Sequence, residues 1–375
     1  MNRKNINDFI KRIVPVSSKF IGAPRKKMTM AELQQKGMRS CELINIDKAL
    51  FPAQDFVLDN FFKKHDAVQS HQLFIAELKN GRVWGRNGAV IADTDIFITD
   101  VSREFQNGKD IAHSVFYTIK QKKSKQLKGT TALIGTAGAQ VYFHWMLDIL
   151  PRLGLIKEIK DINDIDFFIT EFNGLPFQVD TLKILGIQLD KVIPSNENWN
   201  FHIQAETLIL PSLAGSLDQP TLFQVRFLQQ AFAHLTSSLN PFRRIYISRR
   251  KTGRRMIVNE SELLDFLAIH GFEILYCEEL SFAEQVKIFS EATIVVAPHG
   301  SALTNLVFCK SNTRVIDIFN TSQINPCFWY ISKHCNLAYS YFVGKSQSIN
   351  DNYKDDNIIV DATELKNKIE QMMKQ

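Results

Sequence analysis

Apolar and polar positions along this chain follow two different rhythms. Between Gln72 and Ile98 short apolar runs (Leu73–Leu78, Arg82–Gly85, Ala89–Ala92, Asp95–Ile98) are broken by the dipeptides Asn80-Gly81 and Asn87-Gly88. Asn-Gly favours the tight turns that join antiparallel strands, so this stretch predicts a meander. Ala132–Gly135 reads as a further strand. It is followed by Gly138 and a helical pattern over about Tyr142–Ile156, a strand at Asp166–Ile169, and a helix at Phe177–Leu185 that Gly186 stops. Thr207–Leu210 is a strand ending at Pro211.

Ser212–Pro220 is small, polar and proline-bounded, and reads as a linker. Beyond it the alternation becomes regular. A helix is predicted over Leu222–Leu239, a strand over Arg244–Ser248, and a helix over Glu260–His270 capped by Asn259 and ended by Gly271. Phe272–Tyr276 is a strand, and Ser281-Phe282-Ala283-Glu284 is a capping box opening the next helix. The strand Thr293–Ala297 is continuously apolar, residues 301–309 form a short helix, and Arg314–Phe319 is another strand. Asp361-Ala362-Thr363-Glu364 opens a last helix to about Met373. Strands separated by helices of this length need crossovers, which predicts a parallel, doubly wound α/β sheet covered on both faces. The expected segments are an N-terminal extension (1–70), an α/β domain with added antiparallel strands (71–212), a Rossmann-like domain (213–345) and a C-terminal tail with a helix (346–375).

The chain has 375 residues, enough for two domains, with 45% apolar and 22% charged residues, as in ordinary globular proteins. Its 28 phenylalanines predict aromatic-rich cores, and its net charge of +6 predicts polyanionic partners. Arg3, Lys4, Lys11, Arg12, Lys19, Arg25, Lys26 and Lys27 form one basic run, and Lys120, Lys122, Lys123, Lys125 and Lys128 a second. They are solvated segments or a peripheral contact with an anionic membrane. The two runs contain few aromatics, which argues against nucleic acid. The five cysteines (Cys41, Cys277, Cys309, Cys327, Cys335) are scattered without a Cys-x-x-Cys pair, a reducing-compartment pattern without a zinc site. No run of about 18 apolar residues and no basic-then-apolar leader is present, so the expected location is cytoplasmic, with peripheral attachment to the inner membrane as the further reading.

Candidate chemistry concentrates at two places. Ligands of open parallel sheets bind where strands lead into helices, and Pro298-His299-Gly300-Ser301 stands there. Gly300 would let the backbone turn tightly, Ser301 could cap the following helix, and its N–H groups favour an anion. Arg249 follows the strand Arg244–Ser248 at the same edge and could hold a diphosphate bidentately. Glu279, after Phe272–Tyr276, could accept ribose hydroxyls. No Gly-x-Gly-x-x-Gly is present, so NAD is not expected. The second place is Tyr142–Arg152, where His144 and Asp148 lie four residues apart on one helical face. Either could serve as a base; a structural hydrogen bond within the helix is the alternative. Two ligands do not make a metal site, and Asp93-Thr94-Asp95 falls in a meander turn, so no metal is expected.

The motifs in order are His144-Trp145-Met146-Leu147-Asp148-Ile149-Leu150-Pro151-Arg152-Leu153, Ser248-Arg249, Asn259-Glu260, Ser281-Phe282-Ala283-Glu284-Gln285 and His299-Gly300-Ser301-Ala302-Leu303-Thr304-Asn305. This series resembles glycosyltransferase family 61, over roughly residues 70 to 320, with Ser301 where alanine is usual. The resemblance implies a GT-B fold: two Rossmann-like domains facing a cleft, with an acceptor side at 71–212 and a nucleotide-sugar-binding domain at 213–345. It implies an inverting, metal-independent glycosyltransferase without a cofactor, moving a hexosyl or pentosyl group from a nucleotide-sugar to a glycan or lipid-linked glycan. Capsule, O-antigen or exopolysaccharide synthesis is the implied setting. Asp148 and His144 would be catalytic. Arg249, Glu279, Pro298, His299, Gly300, Ser301 and Asn305 would bind the donor. A non-catalytic nucleotide- or glycan-binding protein of the same fold is the alternative.

Overall fold

The structure is a computed structural model and describes residues 23–36, 41–45, 61–62, 73–92, 95–106, 109–118, 121–135, 138–197, 200–215, 218–348 and 356–374. Contacts group the chain into two units, 1–51 with 70–214 and 52–69 with 215–375. The architecture is mixed α/β with two main sheets.

The first unit is built on a sheet whose parallel part runs in the order Val192–Pro194, Phe167–Thr170, Lys125–Gly135, His202–Pro211. In chain order this is 3-2-1-4, the Rossmann order. The predicted meander continues the sheet: Phe74–Lys79 and Arg82–Trp84 both pair antiparallel with His202–Pro211, and Ala89–Ala92 and Ile96–Ile98 follow. Lys26–Met28 and Cys41–Asn45, which show no clear strand pattern in the sequence, also join this sheet. Between them Met30–Gln35 is a helix closed by a Thr29/Glu32 capping box.

The helix after Lys125–Gly135 is not a uniform α-helix. An α-turn at Tyr142–His144 leads into a π-helical stretch at Trp145–Ile149, and the α-helix resumes over Leu150–Lys157. Pro151 explains the widening: it has no N–H for the Leu147 carbonyl, and its ring crowds the preceding turn. Gly135 lies directly beneath, where an added Cβ would come 2.6 Å from Ile149 Cγ1. Only glycine lets the strand end approach the helix this closely.

In the second unit the sheet order is Phe272–Leu275, Arg243–Ile247, Ala292–Pro298, Arg314–Asn320, Ala338–Ser346, all parallel, with Ile358–Ile359 antiparallel at the edge. In chain order the parallel strands read 2-1-3-4-5, the flavodoxin-like order. Alternate side chains divide between the faces. Tyr246, Ile294, Val296, Ile316 and Ile318 meet Leu263 and Leu267 of one helix and Leu365, Ile369 and Met372 of another. On other helices Phe232, Phe282 and Phe308 pack edge to face. Burying such rows supplies most of the driving force for folding. Phe61 and Phe62 belong to this unit as well: Phe62 is fully buried against Phe319 and Trp329, and Phe61 stacks on Tyr341 at 3.8 Å.

Local expectations hold unevenly. Ser281 and Glu284 form the capping box, and Asp361 caps the last helix by accepting from Glu364 N–H at 3.0 Å. Asn259 does not cap. The helix is Ser261–Ile269, and the Asn259 amide exchanges two hydrogen bonds with the Val360 backbone, at 2.9 and 3.2 Å. The first helix of the second unit ends at Ala231, not Leu239, and a separate 3₁₀ turn at Ala233–Leu235 follows it. The long strand Ala338–Ser346 and the helix Cys327–His334 have no clear sequence signal.

One buried histidine gives the first unit a pH dependence. His202 donates through Nδ1–H to the Lys122 carbonyl at 2.6 Å, and Nε2 faces the Arg82 guanidinium at 3.3 Å. The ring is therefore held neutral. Burial, with the Arg82 charge, lowers its pKa to about 4 despite the Lys122 hydrogen bond. Because the unfolded chain takes up this proton first, the contribution is complete above pH 6.5 and is lost as pH falls toward 4. It amounts to at most roughly 3 kcal/mol. Thermal melts should decline over that window in the parent and decline less in His202→Gln, whose amide can still donate and accept. Parallel melting curves for the two proteins would refute this account.

Candidate functional site

At the carboxyl end of Arg243–Ile247 a buried carboxylate shapes the turn. Glu260 accepts from Tyr246 OH at 2.7 Å and from Ser248 Oγ at 3.1 Å, and it pairs with Arg250 Nε at 3.4 Å. Burying a carboxylate costs stability unless its oxygens are satisfied, and here both are. The chain is thereby fixed so that the next side chain, Arg249, turns inward and is 8% exposed. Arg249 Nε–H donates to the Arg254 carbonyl at 3.2 Å, and the guanidinium lies across Gly300.

Gly300 is glycine for this reason. Its φ is −179°, extended backbone open to any residue. A Cβ there would fall inside the Arg249 guanidinium. The tight turn inferred from sequence is thus replaced by a steric constraint: position 300 is bare so that an arginine from the neighbouring strand can lie over it. Ser301 begins the 3₁₀-helix Ser301–Phe308, but no side chain caps that helix. The expected serine cap is corrected accordingly.

His299, after Pro298, is 5% exposed and held on three sides. Nδ1 lies 3.0 and 3.2 Å from the two oxygens of Asp317. The ring stacks on Phe319 at 4.7 Å and lies 4.8 Å from Phe328. Asp317 is fully buried and also accepts from Tyr339 OH at 2.9 Å. Burial and this carboxylate keep the Tyr339 phenol well above its ordinary pKa, so it remains a donor.

Two other residues expected at this edge have partners of their own. Glu279 sits beyond Phe272–Leu275, half exposed and paired with Lys251. Asn305 is fully buried, with its amide donating to Gln285 Oε1 at 2.9 Å; Gln285 in turn donates to the Cys277 and Leu280 carbonyls. Asn305 therefore ties the short helix to its neighbour.

In the first unit the predicted pair is formed. His144 Nδ1 lies 2.7 Å from Asp148 Oδ2, with about 30% of each side chain exposed. Arg152, one turn further, completes the row. It is buried, and its Nε has no hydrogen-bond partner among the described residues. Burial lowers its pKa to about 10, with the Asp148 charge opposing, so it stays cationic at neutral pH. The turn before this helix is held by Glu171, at the carboxyl end of Phe167–Thr170. Glu171 accepts from Ala139 N–H at 3.1 Å and from Arg86 Nη2 at 2.8 Å.

Asp317 and Glu171 were not singled out from sequence, and Glu260 and Arg152 entered only as motif members without a role. One signal was available: Asp317 is the one carboxylate inside the apolar strand Arg314–Asn320, a placement that burial statistics disfavour unless the charge is paired. Of the second basic run, Lys122, Lys123, Lys125 and Lys128 are exposed. Lys120 lies outside the described residues, as do Arg3, Lys4, Lys11, Arg12 and Lys19, and Asp93 and Thr94 of the discounted acidic triplet. Among the described residues no group of three His, Cys, Asp or Glu could hold a metal, and no helix is long and apolar enough to cross a membrane.

Comparison with known proteins falls on these same elements. The family Glycosyltransferase 61 matches residues 142–316, from the helix of His144 to the strand of Asp317. The EGF domain-specific O-linked N-acetylglucosamine transferase of Rattus norvegicus is 28% identical over 101 residues, 26% of this chain and 19% of that protein. Its counterpart in Bos taurus is 32% identical over 82 residues, 20% of this chain and 16% of that protein. The chain thus spans less than a fifth of the length of the curated relatives it matches. The match to glycosyltransferase family 61 thus spans residues 142–316, which hold His144, Asp148, Arg249 and His299.

Proposed function

We propose that this protein is an inverting glycosyltransferase of GT-B type that takes its sugar from a nucleotide-sugar, with the donor bound by the second unit and the acceptor by the first. One observation carries the reading. Arg249 and Gly300, at the ends of adjacent parallel strands, come together at the point where the connections of the second sheet diverge. That is where doubly wound sheets bind ligands. A guanidinium over a bare backbone position, beside a helix start, suits a diphosphate. Ser301, Pro298 and Asn305 shape that helix start, and Glu279 is the carboxylate for ribose. With Arg249 meeting the leaving charge, turnover is expected to persist in excess EDTA; a complete loss restored by Mn²⁺ would argue against this.

For the acceptor we infer a glycan or lipid-linked glycan of a capsule, O-antigen or exopolysaccharide, as the family resemblance suggests. Inversion needs one base to take the acceptor's proton as the nucleotide leaves. An ionised Asp148 can only accept, so His144 carries its proton on Nδ1 and Nε2 is the basic nitrogen. His144 is then the base, Asp148 orients it, and Arg152 opposes the Asp148 charge. Exposed Lys122, Lys123, Lys125 and Lys128 would favour an anionic membrane surface where such acceptors reside.

Two measurements test the reading. In a thermal-shift screen with UDP-, GDP-, CMP- and dTDP-sugars, one donor should stabilise the parent by mass action. Arg249→Ala should lose most of that shift while melting near the parent temperature without ligand. Gly300→Ala should do the same, because its Cβ displaces a flexible guanidinium and leaves the backbone in place. Unchanged donor affinity in both variants would reject the site. His144→Ala should lower kcat by roughly 10²–10⁴ with donor affinity retained, and Asp148→Asn by a similar or smaller factor. If activity loss merely tracks the unfolded fraction, the pair is structural.

A further inference from the structure

We propose that Arg152 forms an anion site in the first unit, beside His144 and Asp148, and that it takes a singly charged oxyanion, a carboxylate or a phosphodiester, carried by the acceptor. Naming the ligand as the acceptor rests on the His144 reading above; the site itself rests on Arg152.

The sequence puts this cation where a charge is costly. Every residue from Leu150 to Ile156 is buried, and Arg152 is the one charged side chain among them. A charge in apolar surroundings is unfavourable unless it is paired. Three arginines are buried among the described residues, and two of them have protein partners. Arg82 meets Gln121 Oε1 at 3.4 Å and His202 Nε2 at 3.3 Å, and Arg249 donates to the Arg254 carbonyl. Arg152 makes no hydrogen bond or ion pair with any described residue. Burial lowers its pKa only to about 10, so the charge remains at neutral pH. Asp148 acts on it as a nearby charge, but the Asp148 carboxylate is engaged by His144 at 2.7 Å. Buried polar atoms in native proteins are almost always paired, so this guanidinium points to a ligand as its partner.

Chemistry narrows what that ligand is. Arginine presents its donors in a planar fork that matches two oxygens of a carboxylate or a phosphate. Of the three guanidinium nitrogens only Nε is enclosed without a partner, so the end of the fork is the part a ligand reaches. Asp148 repels a second negative charge, which favours a monoanion over the dianion of a phosphate monoester. The His144 and Asp148 side chains are 31% and 29% exposed, so the row opens to solvent at the residue read as the base. An acid group held at Arg152 therefore places the rest of its molecule along that row. The acceptor class this selects is an acidic glycan, in keeping with the chain's net charge of +6.

The test uses the full chain with sodium glucuronate, sodium diethyl phosphate and neutral glucose at fixed ionic strength. At least one of the two anions should raise the melting temperature of the parent more than glucose does. Arg249→Ala should respond in the same way, which separates this site from the donor site. The active anion should also shift the His144 imidazole resonances in ¹⁵N-histidine spectra. Arg152→Met should lose both effects and bind the anion at least about tenfold more weakly, as expected for one lost charge-assisted hydrogen bond. Without ligand, Arg152→Met should melt no lower than the parent, because an apolar side chain of similar length replaces an unpaired buried charge. A response to glucuronate alone assigns a carboxylate, and a response to diethyl phosphate alone a phosphodiester; a response to both supports the shared oxyanion chemistry. A parent that responds to neither overturns the inference, as does a response that survives in Arg152→Met or disappears in Arg249→Ala. An Arg152→Met protein melting well below the parent overturns it too, since the guanidinium is then part of what holds the fold. Activity that survives His144→Ala rejects the His144 reading instead, and leaves the anion site standing on the binding data.

Discussion

The parallel pairing of Arg243–Ile247 with Ala292–Pro298 is the constraint from which the candidate donor site follows. Parallel neighbours cannot be joined by a tight turn, so each strand must leave through a crossover. Here the two crossovers depart to opposite sides, one toward Phe272–Leu275 and the other toward Arg314–Asn320. The carboxyl ends of both strands therefore meet along a single edge. Arg249 and Gly300, distant in sequence, meet at that edge without either being near the other in the chain. In the first unit Lys125–Gly135 and His202–Pro211 also pair in parallel, and the helix of His144 follows the first of these strands.

A second theme is the use of buried carboxylates to immobilise strand-end turns. Glu260 holds Tyr246, Ser248 and Arg250; Asp317 holds His299 and Tyr339; Glu171 holds the Ala139 amide and Arg86. Desolvating a carboxylate is unfavourable, and the fold recovers that cost through hydrogen bonds that leave few alternative geometries. In each case the restrained turn presents a different side chain: Arg249, His299, or the start of the His144 helix. Rigidity at these points is what a site needs if its donors are to be aimed before a ligand arrives.

Much of this fold is local enough to be read from the chain. The alternation of apolar strands with capped helices, the Asn-Gly turns of the meander and the Ser281/Glu284 box all depend on residues within a few positions of one another. The His144–Asp148 bond is of the same kind, since residues four apart on a helix are neighbours whatever else the protein does. Elements without a clear signature escaped. Ala338–Ser346 mixes polar and aromatic residues, and Phe61–Phe62 shows its role only against Phe319, Trp329 and Tyr341. Asn259 looks like a cap, yet its amide is taken by Val360, a hundred residues away in the chain.

By itself, then, the sequence determined the class of fold, the crossovers of the second sheet, and two short stretches rich in reactive side chains. Periodicity, caps and turns act over a few residues and leave their mark wherever they occur. Tertiary structure alone decided which of those side chains meet. That Gly300 is bare because of Arg249, that His299 rests on Asp317, and that Asn305 serves Gln285 follow from strand order and register. Those are long-range quantities: a hydrogen bond or a steric contact between neighbouring strands depends on the separation of atoms in space, and no spacing along the chain encodes it.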